Sequence, residues 1–544
     1  MKKTICLLLA LVMCLCLFVG CGKTEEASNP APAPAQENND TSKENLGGVN
    51  TGGSSTEGFV ATPPPAESEY YDTLTLIIGD KVAVIDPFNP ASNTSQTGII
   101  NHMIYDTLID YTIDGKYEPC LATEWTTDDY KTFTFKLRDD VVFHNGEKFT
   151  SDDVLFTFTK ALDATGTSVY DKAKVMEKIE CPDDYTVVIT LTAPNFDFYY
   201  DAANILSSVI VNREAYDADP DNAGKIGTGP YSIKDFVAND SITFERNDNY
   251  FGAAPYTKTF VMRYIAEETA RYIMLENDEA DFVGVNGDYI AKYAEQYQMN
   301  SYLMNNCNYV AFNCQKGVTA DVNFRKAVAY ALDRQGAVDY AIGGYGQLHD
   351  TGVMWGNTSA YKNTNIPMIE RNLDKAKEFL AASSYNGEKV TIAAGMAQTQ
   401  KAAEVFMNNL IEIGINAEVL PLDGPTLTSR TIYGSNDLDL IVNSAPWTPL
   451  ASSINVMLLP GSNSNKANYE NAEITELINK ATSTPDGEER QELYYRIQEI
   501  MAEDMPYVAT HHMALYTAGQ PGTGGALYFA TNYHDYSMAY RIKG

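Results

Sequence analysis

The one conspicuous hydrophobic run, residues 5–19, is shorter than the roughly 20 residues a spanning helix needs, so it does not read as a membrane span. Basic residues are scarce. The 39 Lys and Arg stand against 72 Asp and Glu and leave a net charge of −33. That balance repels nucleic acid and anionic headgroups and excludes both as partners of the folded part. No acidic block is long enough to form a dedicated tail, so the charge reads as solubility at a cell surface. Cysteine is sparse too: of eight, only Cys120, Cys181, Cys307 and Cys314 fall in the globular part, which excludes a disulfide scaffold. Cys307 and Cys314 fall in one apparent strand and would sit ~23 Å apart, far beyond the reach of a disulfide. Catalytic signatures are missing as well. There is no Gly-x-Ser-x-Gly elbow, no His-Glu-x-x-His, no Gly-rich phosphate loop and no internal repeat.

The chain opens with Lys2 and Lys3, the apolar run and then Phe18-Val19-Gly20-Cys21, the pattern of a secretory signal over residues 1–20. The last four residues resemble the lipobox of bacterial lipoproteins, with Phe18 where Leu is usual, which implies cleavage before Cys21 and lipidation of its thiol. Residues 21–69 are rich in Pro, Ser, Thr, Asn, Gly and Glu and nearly devoid of large apolar side chains. Such a segment buries too little surface to offset its ordering entropy. It reads as a disordered tether that spans roughly 40 Å on average. These features place the protein on the extracellular face of the cytoplasmic membrane, or its periplasmic side where an outer membrane exists.

From Tyr70 onward short strands alternate with amphipathic helices. Strands are expected at residues 73–79, 133–137, 180–191 (a pair, turning at Pro182, Asp183 and Asp184), 209–211, 241–245, 308–313, 417–420 and 437–442. Thr150 opens a helix with capping-box spacing, its inner face Val154, Leu155, Phe158 and Leu162. Asp321 and Asn372 are placed to cap two more helices. Gly343, Gly344 and Gly414 end helical patterns, and two late helices read over 474–481 and 493–501. The strand–helix–strand order around residues 402–442 implies a partly parallel sheet.

Taken in order, these segments resemble the family 5 extracellular solute-binding proteins. The blocks are Ile85-Asp86-Pro87, Tyr105-Asp106-Thr107-Leu108, Phe143-His144-Asn145-Gly146, Gly227-Thr228-Gly229-Pro230-Tyr231, the stretch from Phe324 to Arg334, and Glu489-Arg490 with Tyr494. The resemblance covers nearly all of residues 70–515. It implies an α/β, two-lobed periplasmic-binding-protein fold (type II, cluster C-like) with an inserted domain and mixed sheets flanked by helices. Lobe I would comprise residues 70–104, 204–303 and 512–544, the inserted small domain 105–203, and lobe II 304–511.

By the same resemblance the chain is the monomeric receptor of an ATP-driven (ABC) importer. It would take a peptide or peptide-like solute, deliver it to permease subunits in the same membrane by lobe closure, and need no cofactor. A non-peptide solute or a nickel chelate is the alternative ligand; a sensor receptor and a surface peptide hydrolase are alternative classes. Cleft contacts are expected at Asn93 and Thr94 after the Asp-Pro element, at Phe196, at Asn308 and Tyr309, and at Asn443, Ser444 and Trp447. In the family the equivalent of Trp447 precedes an acid that meets a peptide's amino terminus, and in some receptors an arginine lies just before it. Here Thr448-Pro449-Leu450 follows and Asn443-Ser444-Ala445-Pro446 precedes, so that charge pair is absent. The 36 tyrosines suit a cleft that grips varied ligands with rigid amphipathic rings. His511 and His512, adjacent in a strand, would point to opposite faces and suit a metal poorly. The Gly227–Tyr231 block reads as a structural corner, from glycine's φ freedom and proline's fixed φ.

Overall fold

The computed structural model describes residues 68–543 except 113, 114 and 530–532; the signal, Cys21 and the tether lie outside the described residues. The backbone is organised by one long strand, Tyr507–Gly519. Its first half pairs antiparallel with Asn306–Phe312, and its second half with Gln298–Leu303 on one side and Phe282–Val285 on the other. Two half-sheets therefore share this strand.

The first half-sheet continues from Phe282–Val285 through Thr73–Ile78, Thr259–Tyr264, Ser241–Arg246 and Tyr231–Val237. Alternation sorts its faces. Leu74 and Leu76 join Phe244, Phe260 and Met262 on one side, while Ile77 joins Tyr272, Leu275 and Val283 on the other. The second half-sheet runs through Leu440–Pro446, Val390–Ala394 and Ala417–Pro421, the last two parallel to each other and the first parallel to Val390–Ala394. Val310, Ile392 and Val442 pack under Phe324, Val328 and Phe406, and Tyr309, Ile441 and Ala445 pack under Trp355, Tyr494 and Ile497. A separate antiparallel sheet of Ala122–Thr127, Thr132–Leu137, Thr186–Leu191 and Met176–Asp183 encloses Phe133, Phe135, Ile189, Val154, Phe158 and Phe198.

Local signals hold where they are complete. Thr150 and Asp153 close a capping box on Ser151–Ala161. Asp321 and Asn372 cap Val322–Ala331 and Leu373–Ala382 through their side chains. Gly343 ends Arg334–Ile342 in the left-handed region at φ 66°. Four expectations shift. Leu162 is 47% exposed, and Ala161 and Thr157 complete the inner face instead. Residues 209–211 are buried but belong to no strand; the Ile210 N–H donates to Asp106 O and the Val211 N–H to Thr157 Oγ1. The strand expected at 437–442 is Leu440–Pro446; Asp437 lies before it at the surface, where Arg430 donates to both of its carboxylate oxygens. The Gly227–Tyr231 corner is structural, but from close approach and not from φ: a Cβ on Gly227 would lie 1.8 Å from Ile104 O, and one on Gly229 2.6 Å from Ile104 C.

Candidate functional site

In the second half-sheet the carboxyl ends of Val390–Ala394, Ala417–Pro421 and Leu440–Pro446 fall on one edge, where Asn306–Phe312 begins. Open α/β sheets bind ligands outside such carboxyl ends. A hollow of about 350 Å³ opens there, within the size range of small-ligand pockets. Its floor comes from alternate residues of three neighbouring strands: Asn306 and Asn308, then Ser444 with Val442, then His511 with Met513. Met304, Met396, Leu515, Pro446 and Ala402 complete the wall, with Gln398 and Thr399 from the first turn of Ala397–Glu412.

The polar floor is largely committed. Asn306 Nδ2 donates to Ser444 Oγ at 2.9 Å, Asn308 Nδ2 donates to His511 O at 3.1 Å, and Thr510 Oγ1 lies 3.1 Å from His511 Nδ1. Burial, then the adjacent His512, pushes the His511 imidazole down to about 4, so the ring is neutral at ordinary pH. No Asp, Glu, Lys or Arg is among the described residues lining the hollow.

A charged contact lies on the other side of the Trp447 loop. Asp197 follows the strand Thr186–Leu191 of the small sheet, and Arg490 sits in the helix Glu488–Asp504. Arg490 Nη1 donates to Asp197 Oδ1 at 3.1 Å, Nη2 donates to both carboxylate oxygens at 3.2 Å, and Ser452 Oγ donates to Oδ2 at 2.6 Å. The side chains are 4% (Arg490) and 14% (Asp197) exposed. Burial works against the guanidinium's charge, but Asp197, with smaller contributions from Tyr494 and Asp486, offsets it, so the Arg490 pKa is raised. Arg490 also reaches Asp486 at 2.8 Å and Ala481 O at 3.1 Å. This cluster thus ties the small sheet to the second half-sheet's helices.

The residues singled out from the sequence are divided by this geometry. Asn308 and Ser444 line the hollow. Tyr309 and Asn443 occupy the opposite face, where their side chains hydrogen-bond; Tyr309 is buried and packs against Tyr507 at 5.4 Å, and Asn443 is half-buried. Trp447 is 2% exposed and packs with its ring 5.5 Å from Trp355, its indole N–H without a hydrogen-bond partner. Phe196, beside Asp197, packs against Tyr130 in a tilted arrangement with ring centres 4.4 Å apart. Asn93 lines a narrow pocket of the first half-sheet with Asp86 and Ser168, and Thr94 is folded into the turn before Thr97–Ile104. Neither meets the larger hollow. His511 and His512 diverge, His512 stacking on His349 at 4.6 Å, and no group of three or more His, Cys, Asp or Glu is placed to hold a metal among the described residues. The four described cysteines are unpaired. Sequence reasoning missed Asp197, Ser452 and the role of Arg490. Asp197 stood next to the flagged Phe196, but nothing local points to a partner 293 residues away.

The sequence matches the profile of the bacterial extracellular solute-binding proteins, family 5 (middle), over residues 116–467. It is 25% identical over 480 residues to the nickel-binding periplasmic protein of Escherichia coli K12, covering 82% of this chain and 90% of that one. It is 26% identical over 424 residues to the oligopeptide-binding protein AppA of Bacillus subtilis 168, covering 70% and 76%. The fold superposes with a TM-score of 0.77 on the ABC transporter substrate binding protein CtaP of Listeria monocytogenes at 23% identity, over 87% of this chain and 100% of that chain. The two-lobed α/β fold anticipated from the sequence is thus the fold seen, and the chain belongs to the bacterial extracellular solute-binding proteins, family 5.

Proposed function

We propose that the protein is the solute receptor of an ABC importer and captures a peptide or peptide-like solute between its lobes. The observation that carries this reading is the hollow at the carboxyl strand ends, supported by a separate ion pair joining the small sheet to the helices of the second half-sheet. Such a contact forms only when the two sides approach, so solute contacts and Asp197–Arg490 would favour the same closed state. Asn308 and Ser444 are the proposed floor contacts, Asn93 and Phe196 contacts on the facing side, and Trp447 the support beneath.

The division into lobe I (70–104, 204–303, 512–544), small domain (105–203) and lobe II (304–511) is supported by the separate hydrophobic clusters. Its last boundary falls inside Tyr507–Gly519, where the pairing partner changes from Asn306–Phe312 to Gln298–Leu303. The protein acts by binding without altering bonds, as a monomer anchored through Cys21, and hands solute to permease subunits in the same membrane.

Native mass spectrometry of protein purified without denaturation tests the ligand class: co-purifying peptides, released intact, are expected. Stoichiometric binding of Ni²⁺ alone, or cleavage of added peptides, would sink the reading. The anchor is tested by Cys21→Ala, which is expected to move the protein from membrane to soluble fractions.

A further inference from the structure

The chemistry of the hollow narrows the solute, given the reading of this edge as the solute site. Its apolar wall holds three methionines, Met304, Met396 and Met513, with Leu515, Val442 and Ala402. Methionine side chains are unbranched and polarizable and adapt to differing shapes. The polar floor contains no formal charge. Each asparagine amide already commits one of its two N–H groups to a protein acceptor, and His511 is neutral at ordinary pH. The Ser444 hydroxyl, which accepts from Asn306, keeps its own proton for a neutral acceptor.

One feature favours an anion. The helix Ala397–Glu412 begins at the rim, and its N-cap, Met396, has no side-chain oxygen to accept from the first-turn N–H groups. An exposed helix N-terminus stabilises a nearby anion only weakly. Desolvating a carboxylate in a pocket without a counter-ion costs far more than that. Desolvation wins.

We propose that this hollow takes an uncharged, apolar group of the solute, such as an aliphatic or aromatic side chain or a blocked terminus, and rejects a free carboxylate.

The test uses the folded protein and two fragments of equal backbone, N-acetyl-leucinamide and N-acetyl-aspartamide with its side-chain carboxylate free. Methyl NMR of ¹³C-methionine protein, assigned by single Met→Leu changes at 304, 396 and 513, reads occupancy directly. The leucine fragment is expected to shift all three methyl signals with a dissociation constant at least tenfold below that of the aspartate fragment. Ser444→Lys is expected to reverse the order, and Met396→Glu, at a position 46% exposed and therefore easily tolerated, to weaken the leucine fragment at least tenfold. Equal or tighter binding of the aspartate fragment to the unaltered protein overturns the proposal, as does failure of both fragments to perturb these methyls. Absence of peptides from the purified protein, with the leucine preference intact, would instead remove the peptide reading and leave the apolar hollow standing.

Discussion

Replacing Asp197 with Ala removes the carboxylate that links the small sheet to the helix Glu488–Asp504. The change deletes three N–H···O contacts of 3.1–3.2 Å and one O–H···O contact of 2.6 Å. Leaving a buried charge with no partner costs about 3–5 kcal/mol. Arg490 keeps Asp486 at 2.8 Å and Ala481 O at 3.1 Å, so the cost falls below that range, to about 2–3 kcal/mol. In an open arrangement Asp197 faces water and the change costs almost nothing. The equilibrium between open and closed forms should therefore move roughly 30- to 150-fold toward open. Small-angle scattering of the solute-free and solute-bound protein reads the shift as a larger radius of gyration for the variant at equal solute. Calorimetry should show weaker solute binding, by up to the same factor. A double-mutant cycle with Arg490→Gln isolates the pair, with an expected coupling of about 1.5–3 kcal/mol. Superimposable scattering curves with unchanged affinity, or a coupling below ~0.3 kcal/mol, would refute the reasoning.

The histidines predict a pH profile. Burial pushes His144, His349, His511 and His534 down to about 4, and His512 to about 3. From about pH 4 to 6.5 the unfolded chain binds more protons at these rings, so stability rises with pH across that window and levels above it. Asp106 and Asp153, raised by burial from 3.8 to about 6, and Asp110, Asp201 and Asp281, raised from 3.8 by the same cause, oppose this from the lower end of the window, because there the folded state binds more protons; the histidines carry the rise towards pH 6.5. Urea midpoints from pH 4.5 to 7.5 check it, and a flat or falling profile between pH 5 and 6.5 contradicts it. Gly227→Ala, with its Cβ 1.8 Å from Ile104 O, is expected to abolish soluble folded protein or cost at least ~3 kcal/mol by thermal melt. Gly146→Ala, at φ 89° with nothing within 4 Å, should cost only ~1 kcal/mol. Trp447→Ala should destabilise by about 3–5 kcal/mol, whereas Trp447→Phe, which also removes the unpartnered indole N–H, should cost below ~1.5 kcal/mol by chemical denaturation.

Helix ends were legible because their chemistry is local: the Thr150 box, the Asp321 and Asn372 caps and the left-handed Gly343 need only their own neighbours. Residues 209–211 misled because burial and β-branching do not make a strand; their backbone is satisfied by Asp106 and Thr157, partners outside any ladder. The strand at 440–446 starts later than its apolar residues suggest: its polar end, Asn443 and Ser444, resembles a loop, yet Ser444 at that end lines the hollow. The candidate residues Asn308 and Tyr309, and Asn443 and Ser444, were chosen as neighbours in sequence. A strand sends neighbours to opposite faces, so only one of each pair reaches the hollow. Which one depends on register: Asn308 opposes Ser444 and Tyr309 opposes Asn443. Sequence located the strands; pairing was needed to choose the face.

The same logic separates two tasks within the cleft. The missing acid after Trp447 leaves two alternatives: another carboxylate meets a peptide's amino terminus, or the solute is not a free peptide. Asp197 does reach that loop, through Ser452, but Arg490 already neutralises it. On the proposed reading its charge serves to join two parts of the protein and not to meet the solute, and a clamp built this way would draw part of its closing free energy from its own ion pair and leave apolar contact in the hollow to choose the ligand. The two contributions should respond differently to salt. Exposed pairs lose most of their attraction within a Debye length of ~3 Å at 1 M salt, but a pair as buried as this one is screened far less. Apolar burial is, if anything, strengthened by strongly excluded salts such as sulfate. Solute affinity measured from 0.05 to 1 M NaCl should therefore change by less than about threefold. A steep loss of binding with salt would mean that a charged group of the solute, and not Asp197–Arg490 with the methionine-lined hollow, holds the complex together.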